Sequence, residues 1–280
     1  MGHPNLVEVH CHAGVIRIML RAFFRCPSLR RVIIPGVTTV DCFAFEGCPN
    51  LVVVKCHKLE RIRLEAFSGC ESLSNINLLS VKIVEAGAFK GCKAMPRVTF
   101  SKDLESLEGN RRDHRQAFVG CTSLESITIP LKNGLITGSD TFIGCKNLKR
   151  VKLVDDEVLR DFADALLLES WRSDLKDVIG SINQDLANAD PGRRLFSEYL
   201  DDIRGGKANA VRDWIKNVLS KVIRYRAAHN ELLEEATAGL QLFLPGDMVM
   251  NNVRPFIELP AHKFHGEGDI PRDDSIIIID

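Results

Sequence analysis

The first 154 residues return repeatedly to one spacing of apolar positions. Ala/Thr-Phe-x-Gly-Cys stands at Ala44–Cys48, Ala66–Cys70, Ala88–Cys92, Ala117–Cys121 and Thr141–Cys145, and Ala22–Cys26 repeats it with Arg25 in the glycine place. Phe23, Phe45, Phe67 and Phe89 lie 22 residues apart, and Phe118 and Phe142 follow after 29 and 24. Six residues beyond each Phe comes an apolar anchor (Leu29, Leu51, Leu73, Met95, Leu124, Leu148), and the third and fifth positions after it are apolar again, as in Val32/Ile34 and Ile127/Ile129. Leu6, Val9 and Cys11 make an incomplete leading copy. That alternation predicts one short strand per repeat, its third and fifth positions inward, its second and fourth outward. A fixed period of this length predicts a solenoid of six to seven coils over residues 1–154, each burying its apolar side only against its neighbours. The Phe fills the interior at the edge opposite the strand. The Gly before Cys suits a positive-φ turn, and Arg25 there predicts a less regular first coil.

At Asp155 the period changes. Val158, Phe162, Ala165, Leu168, Trp171, Leu175, Val178, Ile182 and Leu186 recur at three and four residues, which predicts one long helix, with Asp155–Glu157 at its positive end. Asp190-Pro191 predicts the start of a short helix, stopped by Gly205-Gly206. A second long helix runs from Lys207 to Leu244, where Pro245-Gly246 ends it, with an inner row of Val211, Ile215, Val218, Val222, Tyr225, His229, Leu232 and Ala236. Residues 155–246 thus predict an α-helical hairpin that caps the open last coil. Residues 247–280 hold Pro255, Pro260 and Pro271 without sustained period, an irregular arm ending in the β-forming Ser275–Asp280.

The repeat resembles the BspA-like type of leucine-rich repeat, whose mark is AFxGCxxLxxIxIP. Ala117–Pro130 is a nearly complete instance and Ala22–Pro35 another. No Asn recurs after the strand, so the asparagine ladder of commoner leucine-rich repeats is absent. The resemblance covers residues 3–154 and implies strands on one side of the coil with a second short strand or turn on the other. It also implies binding rather than catalysis. The fold class is then α+β: a β-rich leucine-rich-repeat solenoid followed by an α-helical hairpin.

Composition adds limits. With 45% apolar and 26% charged residues the chain is a folded one, and no window reaches the ~18 apolar residues of a membrane span. Glu8, Arg17 and Arg21 interrupt the only apolar stretch near the start, so no signal peptide is read there. The opening in mid-repeat at His3–Leu6 leads us to expect sequence before Met1. Met1-Gly2 is a weak myristoylation signal because position 6 is Leu. The net charge of zero hides a division: residues 1–154 hold 22 basic and 13 acidic side chains, residues 155–280 hold 15 and 24. Oppositely charged halves can dock on each other, join neighbouring molecules head to tail, or simply carry separate surface biases.

The cysteines fall mostly on repeat positions: Cys26, Cys48, Cys70, Cys92, Cys121 and Cys145 on one, Cys11 and Cys56 on another. We expect buried free thiols that need no chemistry rather than bridges or zinc. His10-Cys11-His12 resembles a ligand set, but alternation turns Cys11 inward and its flanks away. The 29-residue step inserts Glu108–Gln116, where Arg111, Arg112 and Arg115 could hold phosphate or carboxylate, though a solvated loop is the plainer reading. The second insertion, near Lys132–Asp140, offers no chemical group of note.

The outward strand positions form the candidate binding face. They are Glu8, His10, Arg31, Ile33, Val53, Lys55 and Asn75 on the earlier strands, then Asn77, Arg97, Thr99, Ser126, Thr128, Arg150 and Lys152. This face is mildly basic and lacks aromatic residues, which suits a protein partner, acidic in character, and disfavours nucleic acid. No G-x-S-x-G, Walker loop, HExxH or spaced CxxC pair occurs, so neither enzyme nor cofactor is expected. The reading is a non-enzymatic protein-interaction scaffold in the cytoplasm, without membrane contact, that self-associates through its opposite-charge halves or its terminal strand. An adhesion protein of the BspA-like type is the alternative.

Overall fold

Each repeat closes into one coil because its two short extended segments find their hydrogen-bond partners only on the coils before and after. A computed structural model describes residues 2–110, 115–138, 141–189, 206–252 and 254–260. The anchor segments form a front row of parallel strands: β1 (Glu8–His10), β3 (Arg31–Ile33), β5 (Val53–Lys55), β7 (Asn75–Ile76), β9 (Arg97–Thr99), β13 (Ser126–Ile129) and β14 (Arg150–Leu153). A back row of two-residue strands also pairs in parallel: β2 (Arg17–Ile18), β4 (Thr39–Val40), β6 (Arg61–Ile62), β8 (Ile83–Val84) and β10 (Ser106–Leu107). A bridge from Leu107 to Ile136 carries the back row one coil further.

The front row is broken once, and the sequence says why. In most coils the residue after the anchor donates its N–H to the coil before, as Val52 does to Arg30 O at 2.9 Å and Ser74 to Val52 O at 3.1 Å. Pro96 occupies that place in the next coil and has no N–H to give. The row accordingly divides into a four-stranded sheet, β1-β3-β5-β7, and a three-stranded sheet, β9-β13-β14. Pro96 O still accepts from Glu125 N at 2.9 Å, so pairing resumes at once.

Inside, the recurring phenylalanines form a column. Phe23, Phe45, Phe67, Phe89, Phe118 and Phe142 stack with successive centroids 5.2, 5.2, 5.6, 5.3 and 6.0 Å apart. Phe45, Phe67, Phe89 and Phe118 are fully buried. Burial of a ring this size is worth about 3 kcal/mol. The 29-residue step leaves the column intact because its extra residues leave the coil as an antiparallel pair, β11 (Gly109–Asn110) with β12 (Arg115–Gln116). Gly47, Gly69, Gly91, Gly120 and Gly144 carry φ of 70–74°. Arg25 takes the same left-handed conformation at 53°, with its guanidinium over the Phe24 ring, so the first turn is regular after all.

The thiols do more than fill space. Cys48, Cys70, Cys92, Cys121 and Cys145 each donate S–H to the carbonyl of the Phe one coil earlier, at 3.1–3.2 Å. Cys56 donates forward, to Asn77 O at 3.2 Å. The cysteines are free and mostly buried, as expected, and they also form a ladder of donors to interior carbonyls. Burial pushes the Cys70 and Cys92 thiols up, and takes Cys48 to about 12 and Cys56 to about 11. Cys42, which lies on neither repeat position, is half-buried.

The chain divides into two compact units. The first joins the described residues of Met1–Pro130 and Gly134–Val154 with those of Ser181–Asp213. Within it, backbone groups of the last coil meet side chains. Lys207 Nζ donates to the carbonyls of Cys145, Lys146 and Leu148 at 2.9, 3.3 and 2.8 Å. Asn183 Oδ1 accepts from Val151 N at 3.3 Å. Arg212 donates to Ile136 O and Gly138 O at 3.2 and 2.9 Å, so the second insertion has a chemical use that its sequence did not suggest.

The second unit comprises Leu131–Asn133, Asp155–Gly180 and the described residues from Trp214 onward. The expected first helix is two, α1 (Asp156–Asp164) and α2 (Glu169–Asn188). At the break, Arg172 Nε and Nη2 donate to Leu166 O and Leu167 O at 2.6 and 3.2 Å, a stop that no Gly or Pro announces. The break rotates the buried row: Leu159, Phe162, Ala163 and Leu166 line α1, while Ala165 and Leu168 are exposed. α3 (Lys207–Gln241) keeps the expected row as far as His229 and then buries Leu233 and Thr237 instead of Leu232 and Ala236. Its antiparallel packing on α2 shows in Trp214 Nε1 donating to Val178 O at 2.7 Å, Trp171 stacked on Tyr225 at 5.5 Å, and Lys221 and Tyr225 both bonded to Asp174. Burial opposes ionisation of Asp174, but those two hydrogen bonds outweigh it and hold its carboxyl below the usual range. His229 is a core histidine whose Nε2–H donates to Ile257 O at 2.8 Å. Gly246 opens a further helix, α4 (Gly246–Asn252), and a 3-10 turn covers Arg254–Phe256, so the arm is less irregular than its prolines suggest. The short helix expected after Pro191 and the strand Ser275–Asp280 lie outside the described residues.

Two measurements test this core. A Cβ at Gly69 would find only ordinary contact, 3.7 Å from Gly47 Cα, whereas one at Gly144 would stand 3.2 Å from Gly120 Cα. Gly69→Ala should therefore cost about 1 kcal/mol from the left-handed backbone alone, and Gly144→Ala more, read from urea midpoints; equal losses would contradict the geometry. The thiols set a pH limit. Below the ordinary thiol value near 9 Cys48 is protonated in folded and unfolded chains alike; above it, as far as about 12, only the unfolded chain ionises it. Stability should fall as pH rises from about 9 toward the Cys48 value of about 12, and the fall should be shallower in Cys48→Ala.

Candidate functional site

Parallel register turns each repeat position into a column on the surface, so the candidate face is fixed by strand pairing. On the four-stranded sheet Glu8, Arg31, Val53 and Asn75 stand in one column, and His10, Ile33 and Lys55 in the next. On the three-stranded sheet Arg97, Ser126 and Arg150 form one column and Thr99, Thr128 and Lys152 the other. Arg31, Lys55, Asn75, Asn77, Arg97, Thr99, Arg150 and Lys152 are all exposed. Arg111 and Arg112 lie outside the described residues, and Arg115 is placed only as part of β12.

The two sheets differ electrostatically. On the first, Glu8 accepts from His10 Nε2 at 2.8 Å and faces Arg31 Nε at 3.6 Å. The His10 hydrogen bond, helped by the charges of Arg31 and Lys55, holds the Glu8 carboxyl below its ordinary value. Asn77 is used locally, its Oδ1 accepting from Leu79 N at 3.0 Å. His12 Nδ1 accepts from Gly14 N at 3.0 Å, so the two histidines flanking Cys11 are turned to separate partners. On the second sheet, Arg97, Arg150 and Lys152 make no ion pair among the described residues, and neither column contains an acid. The break at Pro96 thus separates a part of the face in which Glu8 offsets Arg31 from one that holds cations and no acid.

The back row carries a second polar constellation that the outward positions of the front strand did not reveal. Arg17 grips Asp41 through Nε and Nη2 at 2.9 and 3.2 Å, and Arg63 Nη1 reaches the same carboxylate at 3.1 Å. Arg63 Nε continues to Glu85 at 3.3 Å, and Glu85 also accepts from Leu64 N at 3.1 Å. Hydrogen bonding to Asp41, then the Glu85 charge, raises Arg63 above its ordinary value. Asp41, Arg63 and Glu85 are themselves 22 residues apart, the signal in the sequence that would have exposed them. Beside them a depression of about 380 Å³ is lined by Ile16, Arg17, Thr38, Thr39, Arg61 and Arg63. Among the described residues no group of His, Cys, Asp or Glu is arranged to hold a metal ion, and no helix is long and apolar enough to cross a membrane.

Known proteins match the repeat half. The BspA type leucine rich repeat region matches in six copies over residues 1–112 and 112–159. No curated protein matches the chain. Among solved structures, a leucine-rich repeat protein of T. pallidum is 27% identical with a TM-score of 0.45, over 52% of this chain and 69% of that one. A leucine-rich repeat protein from Bacteroides ovatus is 26% identical with a TM-score of 0.40, over 53% of this chain and 39% of that one. With its repeat model matched over more than half of its length, the chain belongs to the BspA-type leucine-rich repeat family.

Proposed function

We propose that the protein is a non-enzymatic interaction scaffold that docks an acidic protein surface on the strands β9, β13 and β14. Membership of a repeat family consistent with interaction or adhesion scaffolds frames this reading. The observation that carries it is the pair of columns Arg97–Ser126–Arg150 and Thr99–Thr128–Lys152, with three cations, three hydroxyls and no acid. Strand spacing sets Arg97 and Arg150 about 9–10 Å apart, far enough to meet successive carboxylates on a partner strand or helix face. Cations left unpaired on a rigid sheet steer an oppositely charged partner and lose little entropy on binding. Nine free cysteines support a reducing, intracellular setting. The opposite charges of residues 1–154 and 155–280 support head-to-tail self-association as an additional mode.

The test is capture on the immobilised full chain from an extract of the cells that make it. Acidic proteins should be retained at low salt and released as ionic strength rises. The triple variant R97A/R150A/K152A should lose them, while R31A, whose cation already faces Glu8, should keep most. Equal retention by wild type and triple variant would refute the assignment of this face.

A further inference from the structure

On the back row, three consecutive strands place Arg17, Thr39 and Arg61 side by side in one column. They line the depression of about 380 Å³ together with Arg63, Thr38 and the exposed Ile16. The arginines are not equally committed. Arg17 and Arg63 are anchored by Asp41, which is itself only 7% exposed, so their guanidinium planes are held in place before any ligand arrives. Arg61 stands 3.7 Å from Glu85, beyond hydrogen-bond reach, with Glu108 acting on it only through its charge, and the Glu85 oxygens are already taken by Arg63 and Leu64 N. The Thr39 hydroxyl makes no hydrogen bond among the described residues, whereas that of Thr38 donates to Ile16 O. Free donors from Arg61 and Thr39 therefore converge on one opening, with spare N–H groups of Arg17 on its far side.

We propose that this depression binds a carboxylate carried next to an apolar group. Three guanidinium groups stand against Asp41 and Glu85, with the Glu108 carboxyl also within electrostatic reach of Arg61 and Glu85, so the cluster has at most one positive charge to offer a ligand. A dianion such as phosphate would bring its second charge up against Asp41 and Glu85. A planar carboxylate matches the guanidinium fork and can accept from Arg61 and Thr39 together. Ile16, whose side chain otherwise faces water, supplies the wall for an apolar neighbour. The site stands on the back row and does not depend on the function proposed for the front strands.

Three probes carry this monoanion in different settings: Ac-Leu-Glu-Leu-NH2 with a side-chain carboxylate, Ac-Leu-Leu-Leu with a free C-terminus, and isovalerate. Titrated into the full chain and followed by backbone amide NMR, at least one should shift the Thr39 and Arg61 amides saturably below about 10 mM. The member that binds tightest identifies the source of the carboxylate. Ac-Leu-Gln-Leu-NH2 should not bind. R61Q should weaken binding about tenfold or more, the loss expected for a charge-assisted hydrogen bond, while R97A/R150A/K152A on the front sheet leaves it unchanged. Thr39→Val, nearly isosteric, guards against a folding defect in R61Q and should weaken binding about threefold. No saturable shift with any probe, equal binding of the Gln peptide, or unchanged binding in both R61Q and Thr39→Val would overturn the proposal.

Discussion

Each coil of the repeat ends with N–H and C=O groups pointing along the stacking axis, where water cannot reach most of them. Every such group must find a partner at the spacing of the next coil, and that requirement governs the rest of the structure. The strands meet it with backbone pairs. At the opposite edge, where the chain turns too tightly for a strand, single backbone N–H groups still pair with the next coil, as Phe45 N with Ala66 O and Gly47 N with Ser68 O at 2.8 Å, and the cysteine thiols add a donor to the Phe carbonyls of the preceding coil. The stacked rings and the left-handed glycines hold that turn in one shape, so that each thiol arrives at the same place. Asparagine ladders serve the commoner repeats in this role; here a smaller and weaker donor suffices because the aromatic column excludes water around it.

Fixed register also decides what the surface can be. A residue type at one repeat position becomes a column, and columns of like charge repel unless something intervenes. The back row answers by alternating sign, Asp41 to Arg63 to Glu85. The front row answers by neutralisation near Glu8 and, beyond Pro96, by spacing Arg97 and Arg150 with Ser126. The two proposed sites lie where alternation or pairing is incomplete, at Arg61 on one side and at Arg97, Arg150 and Lys152 on the other.

The coil was legible in the sequence because it is dictated by residues that repeat at fixed offsets: Phe, Gly, Cys and the anchor each recur often enough to outvote local noise. The front strand was legible for the same reason, and with it the outward residues, ten of which stand exposed. The back row was not, because its strands are two residues long, too short to show an alternating pattern of their own. Its charged cluster is periodic only when Asp41, Arg63 and Glu85 are compared across coils rather than along the chain. The helix break at Ala165–Leu168 left no local trace at all. It is fixed by Arg172 reaching back to Leu166 O and Leu167 O, an arrangement visible only once the chain has folded.

The last coil presents the same requirement in its hardest form, since no further repeat follows to receive its carbonyls. The solution is a change of donor. Lys207, a residue of the next unit of secondary structure, brings three N–H bonds on one ammonium to Cys145 O, Lys146 O and Leu148 O. Burial pulls its pKa down, which measures how far the charge has been taken out of water. An uncharged amide could supply at most two donors and would leave one carbonyl without a partner. A solenoid built from neutral pairings is thus ended by a cation, because a charged side chain concentrates at a single point more donors than an uncharged amide can.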